Sequence, residues 1–205
     1  ALQRHDLVMV REHLADVLFK ADRLNEALAQ YNHILTVEPN NIKALYFAGL
    51  ISAQAGKFSE AEKYLVKALE LDPNSIAAKN TYSYVLIQQG RYEEAVKQCR
   101  AILQVDPAII EAHSNCGLAL TKLGRYEDAA QEYEKILETK PDSFRVHNDL
   151  AVVLYRLGRI DKAIEHLRIA IKIAPDFADA QNNLKIILQE RSKKTPENNS
   201  SGKQF

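Results

Sequence analysis

The feature that most constrains this chain is a fixed beat. "GRYEEA", Gly90 to Ala95, returns as "GRYEDA", Gly124 to Ala129, 34 positions later, and the same step finds "GKFSEA" from Gly56, "GRIDKA" from Gly158 and "DRLNEA" from Asp22. Pro39, Pro73, Pro107, Pro141 and Pro175 keep the same step. A period of this length builds stacked small units, each burying its apolar face on a neighbour, rather than one central core.

Each unit reads as two helices. Segments such as "IKALYFAGLISAQAG", between proline and glycine, are rich in Ala and Leu at spacings of three and four, which is a helical period. Segments such as "YEDAAQEYEKILETK", between glycine and proline, form the second. The turn residue supplies a left-handed conformation that ends the first helix, and Asp22 is one of the few non-glycine types that tolerates it. Three residues later come Asn25, Ser59 and Asp161, expected as N-caps, with Glu93 and Glu127 suited to the helix dipole.

Two columns of small residues predict where helices meet. Ala27, Ala61, Ala95, Ala129 and Ala163 lie on second helices, and Ala15, Gly49, Ser83, Gly117 and Ala151 on first helices. Large apolar columns flank them: Leu18, Leu86, Leu120 and Leu154, with Ser52 the exception, and Leu35, Leu69, Leu103, Leu137 and Ile171 on second helices.

Charge and cysteine content narrow the function. Lys+Arg and Asp+Glu both number 27, so nothing in the net charge favours nucleic acid or an acidic membrane surface. No apolar run approaches the roughly 18 residues of a membrane helix. No basic region followed by an apolar run marks a signal peptide, although the chain opens on Ala1 with its only methionine at Met9, as a processed chain would. Cys99 and Cys116 have neither disulfide-framework nor CxxC spacing, which favours a reducing compartment and a cytoplasmic location. No nucleophile elbow, phosphate loop or zinc-protease helix is present, so no catalytic residue, cofactor or metal is expected. His113 and Cys116 share a helix face and His147 repeats the His113 column, but a closed site needs a fourth ligand, and these columns hold structural residues in other units.

The pattern resembles the tetratricopeptide repeat, through "CGLAL" from Cys116, "YEDAAQEY" ending at Tyr133, and Pro141, with equivalents in every unit. The resemblance implies an all-α right-handed superhelical solenoid of tandem antiparallel helix pairs. Its units are 8–41, 42–75, 76–109, 110–143 and 144–177, preceded by a leader or remnant of a preceding repeat at 1–7. A capping helix is expected at 178–191 and a disordered polar tail at 192–205. The aromatic residue that opens the family signature is replaced by Arg11, Leu45, Lys79, His113 and His147.

The resemblance further implies a protein-interaction module, a scaffold or adaptor whose first helices line a groove for a peptide or protein segment. The matching positions are Tyr46, Phe47 and Leu50; Asn80, Tyr84 and Ile87; Asn115, Leu118 and Lys122; Asn148, Val152, Tyr155 and Arg156; and Asn182 and Asn183. Glu12 and Asp16 would make one end acidic, unlike the basic clamp of arrays that grip the acidic tails of heat-shock chaperones. Asn115 and Asn183 match the asparagine ladder of arrays attached to O-linked N-acetylglucosamine transferases, whereas Thr81 and Asp149 depart from it. The partner is expected to be protein, not nucleic acid, with no membrane insertion. Two other readings are a regulatory or substrate-docking segment of a larger enzyme, and a self-assembling scaffold.

Overall fold

The computed structural model describes residues 2–194. They form α1 (Leu2–Lys20), α2 (Leu24–Val37), α3 (Ile42–Gln54), α4 (Phe58–Leu71), α5 (Ile76–Gln88) and α6 (Tyr92–Val105). There follow α7 (Ile110–Lys122), α8 (Tyr126–Thr139), α9 (Phe144–Arg156), α10 (Ile160–Ile173) and α11 (Ala178–Lys194). The architecture is all-α, in tandem helix pairs.

The chain divides into two compact units, residues 1–119 and 120–205, with the boundary inside α7. In the first, α1 packs on α2, α2 on α3, α3 on α4, α4 on α5 and α5 on α6, with α3 also touching α5. In the second, α8 packs on α9, α9 on α10 and α10 on α11, and α11 reaches back to α9. These helices therefore bury their apolar sides on chain neighbours.

The turn between paired helices is the same object five times. Asp22, Gly56, Gly90, Gly124 and Gly158 all have φ between 59° and 77°. The next residue's amide bonds back to the last turn of the first helix, as Lys57 N to Ser52 O at 2.9 Å and Arg91 N to Leu86 O at 2.9 Å. With Gly56 N to Ala53 O and Gly90 N to Ile87 O, this is the Schellman pairing that satisfies carbonyls otherwise left open at a helix end.

The second helices begin earlier than the sequence suggests. Their N-caps are Arg23, Lys57, Arg91, Arg125 and Arg159, so Asn25, Ser59 and Asp161 lie inside the first turn. One residue past the left-handed position is enough to complete the turn. Three of these arginines instead clasp the acid three residues on: Arg23 on Glu26, Arg91 on Glu94 and Arg125 on Asp128. The acids thereby sit at helix N-termini, where the dipole favours negative charge. Among the first helices, Asn41 caps α3 through Ala44 N at 2.9 Å, and Ser75 caps α5 through Ala78 N at 3.3 Å.

The small-residue columns are buried as expected. Ala27, Ala61, Ala95, Ala129 and Ala163 are all 0% exposed. At Gly49 a methyl group would stand 2.7 Å from Leu65 Cγ, so the Leu65 side chain on α4 fills the space that a side chain there would need. The large column on second helices is shifted by one. Ile34, Ile102 and Ile136 are fully enclosed, whereas Leu35, Leu103 and Leu137 are only half-buried. Helix α1 carries residues 2–7 without a break, so the expected leader continues the first helix. Helix α11 runs to Lys194, three residues past the expected boundary, and the rest of the expected tail, 195–205, lies outside the described residues.

Candidate functional site

The expected binding positions lie on first helices and, for Asn182 and Asn183, on α11, and the helix packing decides how much of each side chain stays accessible. In the first unit, Phe47 is drawn into the core: its ring stacks on Tyr31 with centroids 5.2 Å apart and meets Phe19 edge-on at 5.1 Å. Tyr46 lies against it at 5.1 Å and remains half-buried, as does Leu50. Ile87 is buried. Tyr84 is 39% exposed, and its ring stands 6.3 Å from Phe58.

One turn before Tyr84 on α5, Asn80 accepts from the side-chain amide of Asn115 on α7 at 2.8 Å. The same amide nitrogen lies 3.3 Å from the Asn80 carbonyl. The bond uses one lone pair of Asn80 and leaves its own NH2 and the Asn115 side-chain oxygen for other partners. Leu118, further along α7, is half-buried.

The second unit repeats the device between α9 and α11. The Asn183 side-chain amide donates to Asn148 Oδ1 at 2.9 Å, and Asn148 donates to Asp149 at 3.2 Å. Asn148 is buried. Burial pushes the Asp149 carboxyl above its ordinary range, against the opposing effect of that amide. The Tyr155 hydroxyl donates to Glu190, tying α9 to α11. Val152 is half-buried, and Lys122, Arg156 and Asn182 are exposed.

The carboxylates of the expected acidic end are engaged within the chain. Asp16 accepts from Lys43 at 2.6 Å and from the Tyr31 hydroxyl at 2.8 Å. Burial raises the Asp16 carboxyl, but these two donors outweigh it and hold the group below its usual range. Glu12 accepts from Asn41 at 2.8 Å. These carboxylates lock α1 to α3 rather than offering free negative charge.

Three features were absent from the column analysis. Glu62 on α4 accepts from Arg91, from Gln89 at 2.9 Å and from Tyr82 at 3.2 Å, and these donors overcome the effect of burial and lower its carboxyl. Two of the residues that replace the signature aromatic, and Gln181 one step further on, contact the preceding proline turn: the His113 ring nitrogen lies 3.0 Å from the Pro107 carbonyl, His147 lies 2.9 Å from that of Pro141, and Gln181 donates to that of Pro175 at 2.5 Å. In these three places a polar ring or amide reaches back to the proline turn. His147 also meets His166 through their Nδ1 atoms at 2.8 Å. The recurring spacing from proline, six residues each time, was the available signal.

Both cysteines are buried and neither forms a disulfide. Among the described residues no group of three or more His, Cys, Asp or Glu could hold a metal ion, and no helix is long and apolar enough to cross a membrane.

Comparison with known proteins agrees with this geometry. A family model described as tetratricopeptide repeat matches residues 13–76 and 115–178, and a second model of the same description matches 52–114. No curated protein matches the sequence. Among solved structures, MamA 41-end from Desulfovibrio magneticus RS-1 is similar with a TM-score of 0.76 at 22% identity, over 83% of this chain and 96% of its own. YrrB, described as a TPR protein with an unusual peptide-binding site, gives 0.74 at 23% identity over 85% and 90%. TTC0263, a thermophilic TPR protein in Thermus thermophilus, gives 0.67 at 20% identity over 89% and 99%. At such identities the structures speak to the fold alone. With its unbroken 34-residue beat, five equivalent turns and family matches running from residue 13 to 178, the chain belongs to the tetratricopeptide repeat family.

Proposed function

We propose that the chain is a non-catalytic protein-interaction module whose first helices hold a peptide or protein segment. The observation that carries this reading is on α5 and α7: the exposed Tyr84 ring stands one turn from the Asn80–Asn115 amide pair. An amide pair with unused donor and acceptor atoms suits a peptide backbone, and a neighbouring aromatic face suits an apolar side chain. The second unit carries a similar amide pair in Asn148 and Asn183. The peptide-binding site named for YrrB is consistent with this use of the fold. A balanced charge of 27 against 27 favours a protein partner over a polyanion.

The test is selection of binders from a displayed peptide library, followed by calorimetric titration of the selected peptides. Tyr84→Ala is expected to weaken binding by about 1 to 2 kcal/mol with only a small change in unfolding temperature, because the ring is 39% exposed and lies outside the buried core. Asn115→Ala should weaken binding and also cost some stability, since it leaves Asn80 without its donor. Selected peptides that bind both variants as tightly as the parent would overturn the assignment.

A further inference from the structure

Asp16, Glu62 and Asp149 each lose water to the packing of the helices, and the first two find their cation within the chain. Asp16 accepts from Lys43 at 2.6 Å and from the Tyr31 hydroxyl at 2.8 Å. Glu62 accepts from Arg91, with Gln89 and Tyr82 as further donors. Asp149 on α9 has no such partner. Among the described residues its hydrogen bond comes from Asn148, at 3.2 Å, and no lysine, arginine or histidine pairs with it. Arg145, one turn earlier on the same helix, instead holds its guanidinium over the Phe144 ring, 5.5 Å from the centroid. Burial, together with the like charge of Asp179 on α11, disfavours the charged form of Asp149, and Asn148 and Arg145 do not make up the difference.

The 34-residue register shows what is unusual about the position. Asn115, one step before Asp149, donates its side-chain amide to Asn80, and Asn183, one step after, donates to Asn148. A carboxylate cannot donate, so Asp149 puts an acceptor where its neighbours in the register carry a donor. It does so on the surface proposed to hold a peptide. A carboxylate can accept from about four donors, so most of its capacity is unused, and a desolvated charge without a counter-ion is costly.

We propose that Asp149 makes the second unit select a peptide carrying a cationic side chain, arginine or lysine. The inference rests on the reading that first helices hold a peptide, and adds the charge of that peptide at one point. An incoming cation supplies the counter-ion that the fold omits, and a guanidinium can engage both carboxyl oxygens at once. Arg156 stands seven residues further along α9, about 10 Å at 1.5 Å per residue, beyond the screening length of about 8 Å in physiological salt. Its repulsion of such a ligand is therefore weak.

Selection of a displayed random peptide library, run in parallel on the full chain, on Asp149→Asn and on Asp176→Asn, tests the proposal. Asp149→Asn keeps an acceptor for Asn148 and matches Asn115 and Asn183. Asp176→Asn removes the same charge from an exposed turn. Arginine or lysine should be enriched at one position among binders of the parent and of Asp176→Asn, and not among binders of Asp149→Asn. A selected peptide should bind the parent about tenfold tighter than its uncharged counterpart, with citrulline for arginine or norleucine for lysine, and the two should bind Asp149→Asn alike. The unfolding temperature of Asp149→Asn should equal or exceed that of the parent, because a charge without a counter-ion is removed. Binders without basic enrichment, a preference that survives Asp149→Asn or also vanishes with Asp176→Asn, or a lowered unfolding temperature would each overturn the inference while leaving the peptide reading in place. A library that yields no binder of the parent overturns both.

Discussion

Ser52 is fully buried in a column that other units fill with leucine, and its hydroxyl has no hydrogen-bond partner. A buried hydroxyl without a partner keeps its full desolvation cost, so Ser52→Ala should raise stability by about 1 kcal/mol in chemical denaturation. A loss on that substitution would mean the hydroxyl is satisfied in solution. The histidine pair on α9 and α10 gives a second prediction at this scale. With the His147 Nε2–H donated to the Pro141 carbonyl, neutral His147 offers Nδ1 as an acceptor for the Nδ1–H of His166. Burial, and then the neighbouring His147, hold His166 below its ordinary range, with Lys162 acting in the same direction and Glu165 and Glu134 against it. The group is thus kept neutral in the fold, while the unfolded chain takes up its proton near pH 6.5. Stability from this site is complete above that pH and declines as the pH falls below it. Unfolding of the parent and of His166→Gln, followed from about pH 8 down to about 5, should diverge through that window, with the substituted protein showing the shallower decline.

Among the elements, the close contact of paired helices is the sharpest constraint. Ala95 on α6 is fully enclosed, and Ala95→Leu should overpack it and destabilise the first unit by about 1 to 3 kcal/mol, read as a lowered denaturation midpoint. An unchanged midpoint would show that α6 can shift without loss. This seam was legible in the sequence, because a column that admits only small residues records a distance between backbones. The left-handed turn residue was legible for the same reason, down to Asp22 at φ 59°. The N-cap register was harder to read: Asn25, Ser59 and Asp161 have good capping chemistry, but the Schellman turn starts the helix before them. The accessibility of the proposed binding positions was only partly legible. Phe47 and Tyr46 are adjacent on α3, yet one stacks into the core on Tyr31 and the other lies at its edge. Cross-element bonds such as Lys43 to Asp16 or Glu62 to Arg91 leave no mark in a column, because each joins residues the repeat does not require to match.

At the scale of the whole molecule, stability is a sum over neighbours, so the ends carry unusual weight. Removing 178–205 takes away α11, which packs on both α9 and α10 and follows directly on Phe177, whose ring meets Phe144 at 5.0 Å. That truncation should lower the unfolding temperature and promote aggregation, monitored by light scattering during heating, because buried apolar residues such as Ala170 lose cover. Removing 195–205 instead should leave the transition in place; a marked loss there would assign those residues a docking role. The recurring turn has a further consequence for how such a chain can change over generations. Because all five turns use the same backbone geometry and helices are answered by their immediate neighbours, duplicating or excising one 34-residue block creates no new class of junction. Length is then a heritable variable that evolution can alter in whole steps, leaving the chemistry of individual surfaces to diverge afterwards.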